Sequence, residues 1–283
     1  MASQREIRRR ITSVRHIRQI TRAMQFVAAS KLKRAQDSTV AARPYSDKLD
    51  EILADLAVVL GDEDHPLLVQ RDGGTRCFVL FTTDRGLAGP LNANLIRFTA
   101  HEIADHEGDL AVVTIGRKGR DAMRRARVPI AAAFLGYGDR PTFTDVLPLA
   151  RLLTDDYLAE AYDRIDLIYP AFVSTLVQRV RMDTLLPIRP GEDTAGVPGN
   201  QFIFEPSPRV VLEQILPRYV ATRVYQAVLE ATASEQSSRM VAMKSATENA
   251  EELIEDLTLS YNKVRQANIT REMIEIASGA RAT

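Results

Sequence analysis

Residues 5–38 read REIRRRITSVRHIRQITRAMQFVAASKLKRAQDS, the most regular stretch in a chain of 283 residues. Neither glycine nor proline occurs in it, and small or apolar residues recur every three or four positions. The spacing averages about 3.5 residues, the period of a left-handed coiled coil rather than the roughly 3.6 of a straight helix. The pattern therefore predicts a long helix that packs against another helix. The positions that carry the pattern are Ile7, Ile11, Val14, Ile17, Ile20, Met24, Val27, Leu32 and Ala35.

The helical spacing of apolar residues continues beyond Pro44, and a second stretch of this kind stands at the other end of the chain. Pro44 interrupts the spacing, but it resumes over residues 49–59, which predicts one helix, kinked or briefly broken near Pro44 and ended by Gly61. Residues 218–278 also lack glycine and proline, so we expect a second long helix whose partner is the first. Being longer, the second helix should project beyond the paired region. Its predicted seam is Val224, Val228, Ala231, Ser234, Ser238, Val241, Ser245, Ala250, Leu253, Leu257, Val264 and Ala267.

In the middle of the chain the pattern changes, and short apolar runs alternate with helical stretches. Such alternation is typical of a mostly parallel α/β sheet. The last two predicted strands have no helix between them, so we expect an antiparallel hairpin at an edge of the sheet. The predicted strands are 75–83, 110–116, 127–134, 164–173, 175–188 and 201–205, and the predicted helices are 90–106, 117–126 and 144–161.

These patterns predict an α/β fold with a long coiled coil. The terminal helices would form a left-handed rod, and a Rossmann-like α/β domain would be inserted between them. The expected domains are an N-terminal coiled-coil helix over residues 1–60, an α/β domain over 61–208 and a C-terminal coiled-coil helix over 209–283.

Composition excludes several classes of protein and hides an asymmetry. Hydrophobic residues make up 45% and charged residues 26%, which is ordinary for globular proteins. The single cysteine, Cys77, excludes an intramolecular disulfide framework and is expected to be a buried, inert thiol. With no membrane span or secretion signal in the sequence, we expect a soluble intracellular chain. The 37 basic and 37 acidic side chains cancel, but residues 1–43 carry 11 basic and 2 acidic groups, a net of +9. This segregation predicts a cationic partner surface near the N-terminus.

Motifs for chemistry are weak. The phosphate-loop pattern GxxxxGK[ST] and the dinucleotide pattern GxGxxG are absent from the sequence. The loop at residues 84–89 could hold a phosphate, because it follows the first strand of an α/β unit. His101 and His106 stand five residues apart, too far around a helix for the zinc motif. The residues alone leave three functions open: an interaction rod, a nucleic-acid-binding protein that uses the arginines, and an α/β enzyme that uses the 84–89 loop.

Four segments together carry a family resemblance. They are QITRAMQFVAASKLKRAQ, FTTDRGLAGPLN, ASEQSSRMVAMKSATENAEELI and YNKVRQANITREMIEIASGA. In order and spacing they resemble the gamma subunit of F-type ATP synthase over essentially the whole chain. The resemblance implies an antiparallel coiled coil that acts as the central rotor shaft and couples ion flow through the membrane ring to ATP synthesis or hydrolysis at the beta subunits.

The resemblance also implies partners and a location. We expect three alpha and three beta subunits, an epsilon subunit and the membrane ring of c subunits as partners, and no nucleic acid. The chain itself would carry no catalytic residue, cofactor or metal, because ATP, ADP and magnesium bind partner subunits in this family. It would lie at the cytoplasmic face of a bacterial plasma membrane as a peripheral part of the complex, without crossing the membrane itself.

Particular residues take roles from the matching motifs. Contacts with beta subunits would come from Met24, Arg239, Lys244, Arg265, Gln266 and Thr270. The tip that turns in an apolar collar would carry Ile274, Ile276, Ala277 and Ala280. The basic shaft surface would include Arg8, Arg9, Arg15, Arg18 and Arg22. Met24 has a second interpretation, as an ordinary residue of the helix–helix seam.

Overall fold

A computed structural model describes residues 3–60, 65–71, 73–189, 202 and 204–279. Two long helices and a five-stranded sheet with three shorter helices make up this part of the chain. The helices are α1 (Gln4–Leu60), α2 (Leu91–Ala104), α3 (Arg117–Arg125), α4 (Phe143–Leu158) and α5 (Pro208–Gly279). The strands are β1 (Arg76–Phe81), β2 (Leu110–Ile115), β3 (Ile130–Phe134), β4 (Arg164–Phe172) and β5 (Gln178–Leu186). The mixed α/β class and the two long terminal helices are confirmed.

Both long helices contain a proline that does not break them. Helix α1 continues through Pro44, and α5 begins at Pro208, ten residues before the stretch without glycine and proline, and passes through Pro217. A proline inside a helix costs about 3 kcal/mol through a lost hydrogen bond and a steric clash. Around Pro217 this cost is offset by packing, because Leu212, Leu216 and Val220 are at most 4% exposed and lie on one face of α5.

The sheet has the strand order β3-β2-β1-β4-β5, with β1 to β4 parallel and β5 antiparallel. The predicted hairpin between 175–188 and 201–205 is wrong. The antiparallel pair consists of β4 and β5, joined by the tight connection 173–177, and residues 202, 204 and 205 lie outside any strand. Five residues suffice for an antiparallel connection, whereas a parallel pair needs a crossover of a dozen or more.

The sheet is covered on both faces. Side chains of successive β1 residues point to opposite faces, so Cys77, Val79 and Phe81 belong to one core cluster and Phe78 and Leu80 to the other. The first cluster contains residues of α4, α5 and the second half of α1, and the second contains residues of α2 and α3.

The chain packs as two compact units. We call the first the helical pair; it consists of α1 up to Ala28 and α5 from Arg239. The second, the sheet unit, spans Ala29–Ser238. Helices α1 and α5 contribute residues to both units, and the domain boundaries predicted at residues 60 and 208 stay a prediction.

Candidate functional site: the surface of the helical pair

Contacts in the helical pair show that its two helices run antiparallel. The Gln4 amide donates to the Tyr261 hydroxyl at 3.1 Å, and the Thr21 and Thr247 hydroxyls are hydrogen bonded at 2.8 Å in a buried position. The partner on α5 moves towards the N-terminus as the position on α1 moves towards the C-terminus. On both helices, buried and half-buried positions alternate by four and three residues, which is the coiled-coil repeat. The seam positions on α1 are Ile7, Ile11, Val14, Arg18, Thr21, Gln25 and Ala28, and those on α5 are Met243, Thr247, Ala250, Ile254, Leu257, Tyr261 and Val264.

The predicted seam of α1 is wrong by one position over residues 17–27, whereas Leu32 and Ala35 further along are buried as predicted. Ile17, Ile20 and Val27 are 50%, 60% and 53% exposed, and Met24 is half-buried. Each of the four directly precedes a seam position, so they form a second line beside the seam; we call these four residues the outer stripe. Two of the polar seam residues have partners on α5: Thr21 is hydrogen bonded to Thr247, and Arg18 is paired with Glu251.

The predicted seam of α5 needs similar corrections. In the helical pair, Ser245, Leu253 and Ala267 are exposed, while Thr247 and Ile254 occupy seam positions. Apolarity alone could not locate the seam, because apolar residues line more than one face of both helices. The hydroxyls of Thr21 and Thr247 gave no apolar signal at all.

The arginines of α1 present a cationic surface. Arg8, Arg9, Arg15 and Arg22 are exposed. Arg18 is half-buried, and its guanidinium lies 3.7 Å from the Glu251 carboxylate of α5. Exposed ion pairs of this kind contribute about 0–1 kcal/mol each, so this surface stabilises the pair little and remains available to partners.

The end of α5 extends past the first residues of α1. Gln4 lies against Tyr261, so α1 has few residues with which to cover the residues of α5 beyond Val264. We call residues 265–279 the overhang. Within it, Arg265, Gln266 and Thr270 are exposed, and Ile274 and Ile276 are 61% and 72% exposed. The projecting single helix is thus confirmed. Ala280 lies outside the described residues, as does the side chain of Ala277.

Two further predicted contact residues differ in their accessibility. Lys244 is exposed, with its ammonium group 3.8 Å from the Glu248 carboxylate of the next turn. Arg239 is only 9% exposed, which leaves little of its side chain for a partner. The structure thus groups Met24 with the outer stripe and Arg265, Gln266 and Thr270 with the overhang, whereas Arg239 belongs to neither surface.

The sheet unit contains the position where α/β folds bind ligands. A cavity of about 300 Å³ lies at the carboxyl ends of the parallel strands, beside the β1–β4 junction where the strand order reverses. The backbone amides at the start of α3 already have internal acceptors. Arg117 N donates to Asp84 Oδ1 at 3.0 Å, Lys118 N to the Thr83 carbonyl at 3.1 Å, and Gly119 N to the Thr82 hydroxyl at 2.8 Å.

Asp84 therefore takes the place that a phosphate would need at this helix N-terminus. Its second oxygen, Oδ2, accepts a hydrogen bond from Gly136 N at 3.0 Å, so one carboxylate joins the loops after β1, β2 and β3. This arrangement favours the structural interpretation of the 84–89 loop over phosphate binding.

The histidines and the cysteine that the sequence offered for chemistry lie among ordinary structural contacts. His101 lies 3.3 Å from Asp105, one turn along α2, and the ring of His106 packs edge-on against Phe78. Among the described residues, no group of three potential metal ligands comes together. Cys77 is fully buried, and burial raises the pKa of its thiol to about 12. None of the described helices is both long and apolar enough to span a membrane.

Comparison with known proteins gives a consistent result. The family model described as ATP synthase matches residues 3–283. The ATP synthase gamma chain of Dehalococcoides mccartyi (strain CBDB1) is 45% identical over 284 residues, covering 100% of this chain and 99% of the relative. The gamma chain of Desulfitobacterium hafniense is 46% identical over 282 residues, with the same coverage.

Solved structures agree at the level of the fold. The rotor of the Euglena gracilis mitochondrial ATP synthase aligns with a TM-score of 0.69 at 20% identity, over 94% of this chain and 98% of that one. The central stalk of the Tetrahymena thermophila mitochondrial enzyme aligns with a TM-score of 0.64 at 23% identity, over 80% and 99%.

The fold and the surface define a class of protein that has an α/β unit and a pair of long antiparallel helices with exposed cationic and apolar side chains. Within that class, the chain belongs to the ATP synthase gamma chain family.

Proposed function

We propose that this chain is the central rotary shaft of an F-type ATP synthase. It couples ion flow through a membrane ring to ATP synthesis and hydrolysis at the beta subunits, and takes no part in the chemistry itself. The observation that carries the proposal is the surface of the helical pair, where cationic side chains, the outer stripe and the overhang lie beside a closed seam.

An asymmetric surface is what a shaft needs physically. Rotation can change the affinity of a beta subunit for nucleotide only if different faces of the shaft interact differently with it. Over residues 3–28, α1 carries seven arginines and one glutamate, and the outer stripe lies on this helix. The facing part of α5 is acidic instead, with exposed carboxylates at Glu248, Glu251, Glu252, Glu255 and Asp256. The surface charge of the helical pair therefore differs in sign between α1 and α5. Coupling between the orientation of the shaft and the nucleotide affinity of the beta subunits is reciprocal, so ATP hydrolysis would turn the shaft backwards.

The contact residues follow from exposure and from the family motifs. Met24, within the outer stripe, and Lys244 would face beta subunits along the shaft, and Arg265, Gln266 and Thr270 of the overhang would grip a beta-subunit loop. Ile274 and Ile276 would turn in an apolar collar, together with Ala277 and Ala280. Arg239 is also a predicted beta-subunit contact, but at 9% exposure only a small part of its side chain could reach a partner.

The partners would be three alpha subunits, three beta subunits, one epsilon subunit and the ring of c subunits. ATP, ADP and magnesium would bind the alpha and beta subunits. The complex would place this chain at the cytoplasmic face of a bacterial plasma membrane. Support for these assignments comes from the bacterial gamma chains at 45–46% identity over the whole chain.

Reconstitution tests the proposal directly. The chain is co-expressed with the alpha and beta subunits of its own organism, the complex is immobilised through its beta subunits, and a bead is attached to the sheet unit. ATP should drive stepwise rotation of the bead in one direction. A complex that contains this chain and hydrolyses ATP but shows no directional rotation of the bead would contradict the proposal. So would a chain that assembles with neither subunit and binds duplex DNA with a steep salt dependence.

A further inference from the structure

Three serines on one face of α5 have carbonyl partners far away in the sequence. Ser234, Ser237 and Ser238 stand at positions i, i+3 and i+4, so their side chains leave the helix on the same side. They are 0%, 0% and 6% exposed. The sequence pattern had assigned Ser234 and Ser238 to a helix–helix seam. In the structure all three belong to the sheet unit, where each donates its hydroxyl proton to a backbone carbonyl of another segment.

The three carbonyls come from three different places at the carboxyl end of the sheet. Ser234 Oγ donates to Pro170 O at 2.8 Å, in β4 beyond its last pair with β1. Ser238 Oγ donates to Ala88 O at 2.6 Å, in the loop between β1 and α2.

Ser237 reaches the third place, the connection between β4 and β5. Its Oγ donates to Thr175 O at 2.7 Å and accepts a hydrogen bond from the Gln178 amide at 3.3 Å. A buried serine hydroxyl inside a helix ordinarily donates to the carbonyl one turn earlier, as the buried Thr222 does to Arg218 O at 2.9 Å. These three serines instead bond outwards.

A fourth tie comes from the same turn of α5. The amide of Gln236, 2% exposed, donates from Nε2 to Asp139 Oδ1 at 3.2 Å, in the loop between β3 and α4. The other oxygen of Asp139 lies 2.6 Å from Lys31 Nζ of α1. The loop after β3 is therefore bonded to both long helices within the sheet unit.

We propose that Ser234, Ser237 and Ser238 form a torsional clamp, which fixes the rotation of α5 about its own axis relative to the sheet. This inference rests on the proposed rotary function and adds the residues that transmit torque between the sheet and α5. The hydrophobic effect is non-directional, so the burial of apolar area does not by itself select one rotational setting of the helix. Hydrogen bonds restrict rotation because they depend on angle as well as on distance.

The geometry makes the clamp sensitive to small rotations. A serine oxygen lies roughly 4 Å from the helix axis, so a rotation of about 20° shifts it sideways by about 1.4 Å. Because all three hydroxyls belong to one rigid helix, the same rotation misaligns all three bonds at once. Torque on α5 is therefore shared between the end of β4, the β4–β5 connection and the β1–α2 loop.

The test compares angular fluctuations in the assembled complex. A bead is attached to the sheet unit at Arg124→Cys, an exposed position of α3, and Cys77 does not compete because it is buried. Rotation is arrested by removing nucleotide, and the variance of the bead angle gives the torsional stiffness. The triple variant S234A/S237A/S238A should increase this variance about 1.5-fold or more, because it removes three directional restraints of modest individual strength.

The matched control is Thr222→Val. It removes a buried hydroxyl of α5 whose hydrogen bond is to Arg218 O of the same helix, so its variance should equal that of the parent. A role limited to folding would lower the thermal stability of the triple variant without changing the arrested variance. A triple variant that assembles and fluctuates like the control would overturn the clamp.

Single variants decide the question if the triple variant does not assemble. Ser237→Ala and Ser238→Ala should each widen the angular distribution by a smaller amount, and parental variance in both would overturn the clamp. Failure of the proposed function looks different, because the parent complex itself would then show no ATP-driven rotation of the bead.

Discussion

Replacing Asp84 by asparagine should destabilise the sheet unit, because two backbone amides share this one carboxylate. Asp84 accepts hydrogen bonds from Arg117 N and Gly136 N, both at 3.0 Å, through different oxygens. Asparagine offers one oxygen and one NH₂ group, so it can satisfy one amide but presents a donor to the other. The substitution also removes the charge that strengthens both bonds.

The magnitude follows from the exposure of the site. A hydrogen bond to a charged group contributes about 1.5–3 kcal/mol, and an unsatisfied buried donor costs about 1–3 kcal/mol. The Asp84 side chain is 25% exposed, so water can partly replace the lost acceptor and values in the lower half apply. We expect Asp84→Asn to lower the free energy of unfolding by about 1.5–2.5 kcal/mol and Asp84→Ala, which loses both bonds, by about 2–4 kcal/mol.

Urea denaturation of the purified chain, followed by circular dichroism, measures this loss as a shift of the midpoint at constant slope. Asp105→Asn is the matched control, because its carboxylate is 65% exposed and its ion-pair partner is the exposed His101. The control should change the free energy of unfolding by less than about 0.5 kcal/mol. If Asp84→Asn is as stable as this control, Asp84 does not hold the loops together and our interpretation of the 84–89 loop is wrong.

Four further predictions concern the shaft and two buried groups. Truncation after Val264 should leave the seam intact, with no loss of helical content in the rest of the chain, but abolish ATP-driven torque, whereas truncation after Ser260 should also destabilise the pair. Undiminished torque in the variant truncated after Val264 would show that the overhang is dispensable. Met24→Lys should preserve assembly but reduce proton pumping per ATP hydrolysed, because it adds a charge to the apolar outer stripe; normal pumping would remove Met24 from the coupling residues. Cys77 should react with a thiol reagent at pH 8 only after unfolding, since burial raises its pKa to about 12, and labelling of the native chain would contradict this. Burial raises the pKa of Glu230 despite the opposing charge of Arg181. The ionised carboxylate therefore lowers the stability of the fold at pH values above the unfolded pKa of about 4.3. Urea denaturation at several pH values should show that Glu230→Gln stabilises the chain at pH 7 but not near pH 3.

The strands and short helices of the sheet unit were largely predictable from local pattern. Helices α2, α3 and α4 lie within three residues of their predicted ends, because buried strands are short apolar runs and surface helices have their own periodicity. The hairpin was not predictable in the same way. Apolarity identified 201–205 as a candidate strand, but β5 pairs with β4, because the short 173–177 connection already places them side by side.

The candidate site was predictable in its residue types but not in its orientation. The family motifs identified Met24 and the residues of the overhang, and exposure agrees with their use as contacts. They also indicated Arg239, whose burial no local pattern reveals. The sequence pattern indicated that Ser234 and Ser238 lie on an inner face but not what they bond to, because a serine in a helix looks the same whether it bonds within its own helix or to a distant carbonyl.

The sequence by itself determined that the chain has two long helices of coiled-coil period around an α/β sheet, because helix period and strand alternation are local properties of the residue order. Only the tertiary structure decided which face of each helix closes the pair. Ile17 and Ile20 are as apolar as any seam residue, yet they are half or more exposed, while Thr21 and Thr247 are buried with their hydroxyls paired at 2.8 Å. Burial depends on whether a partner atom stands opposite, and that is a property of two segments more than two hundred residues apart.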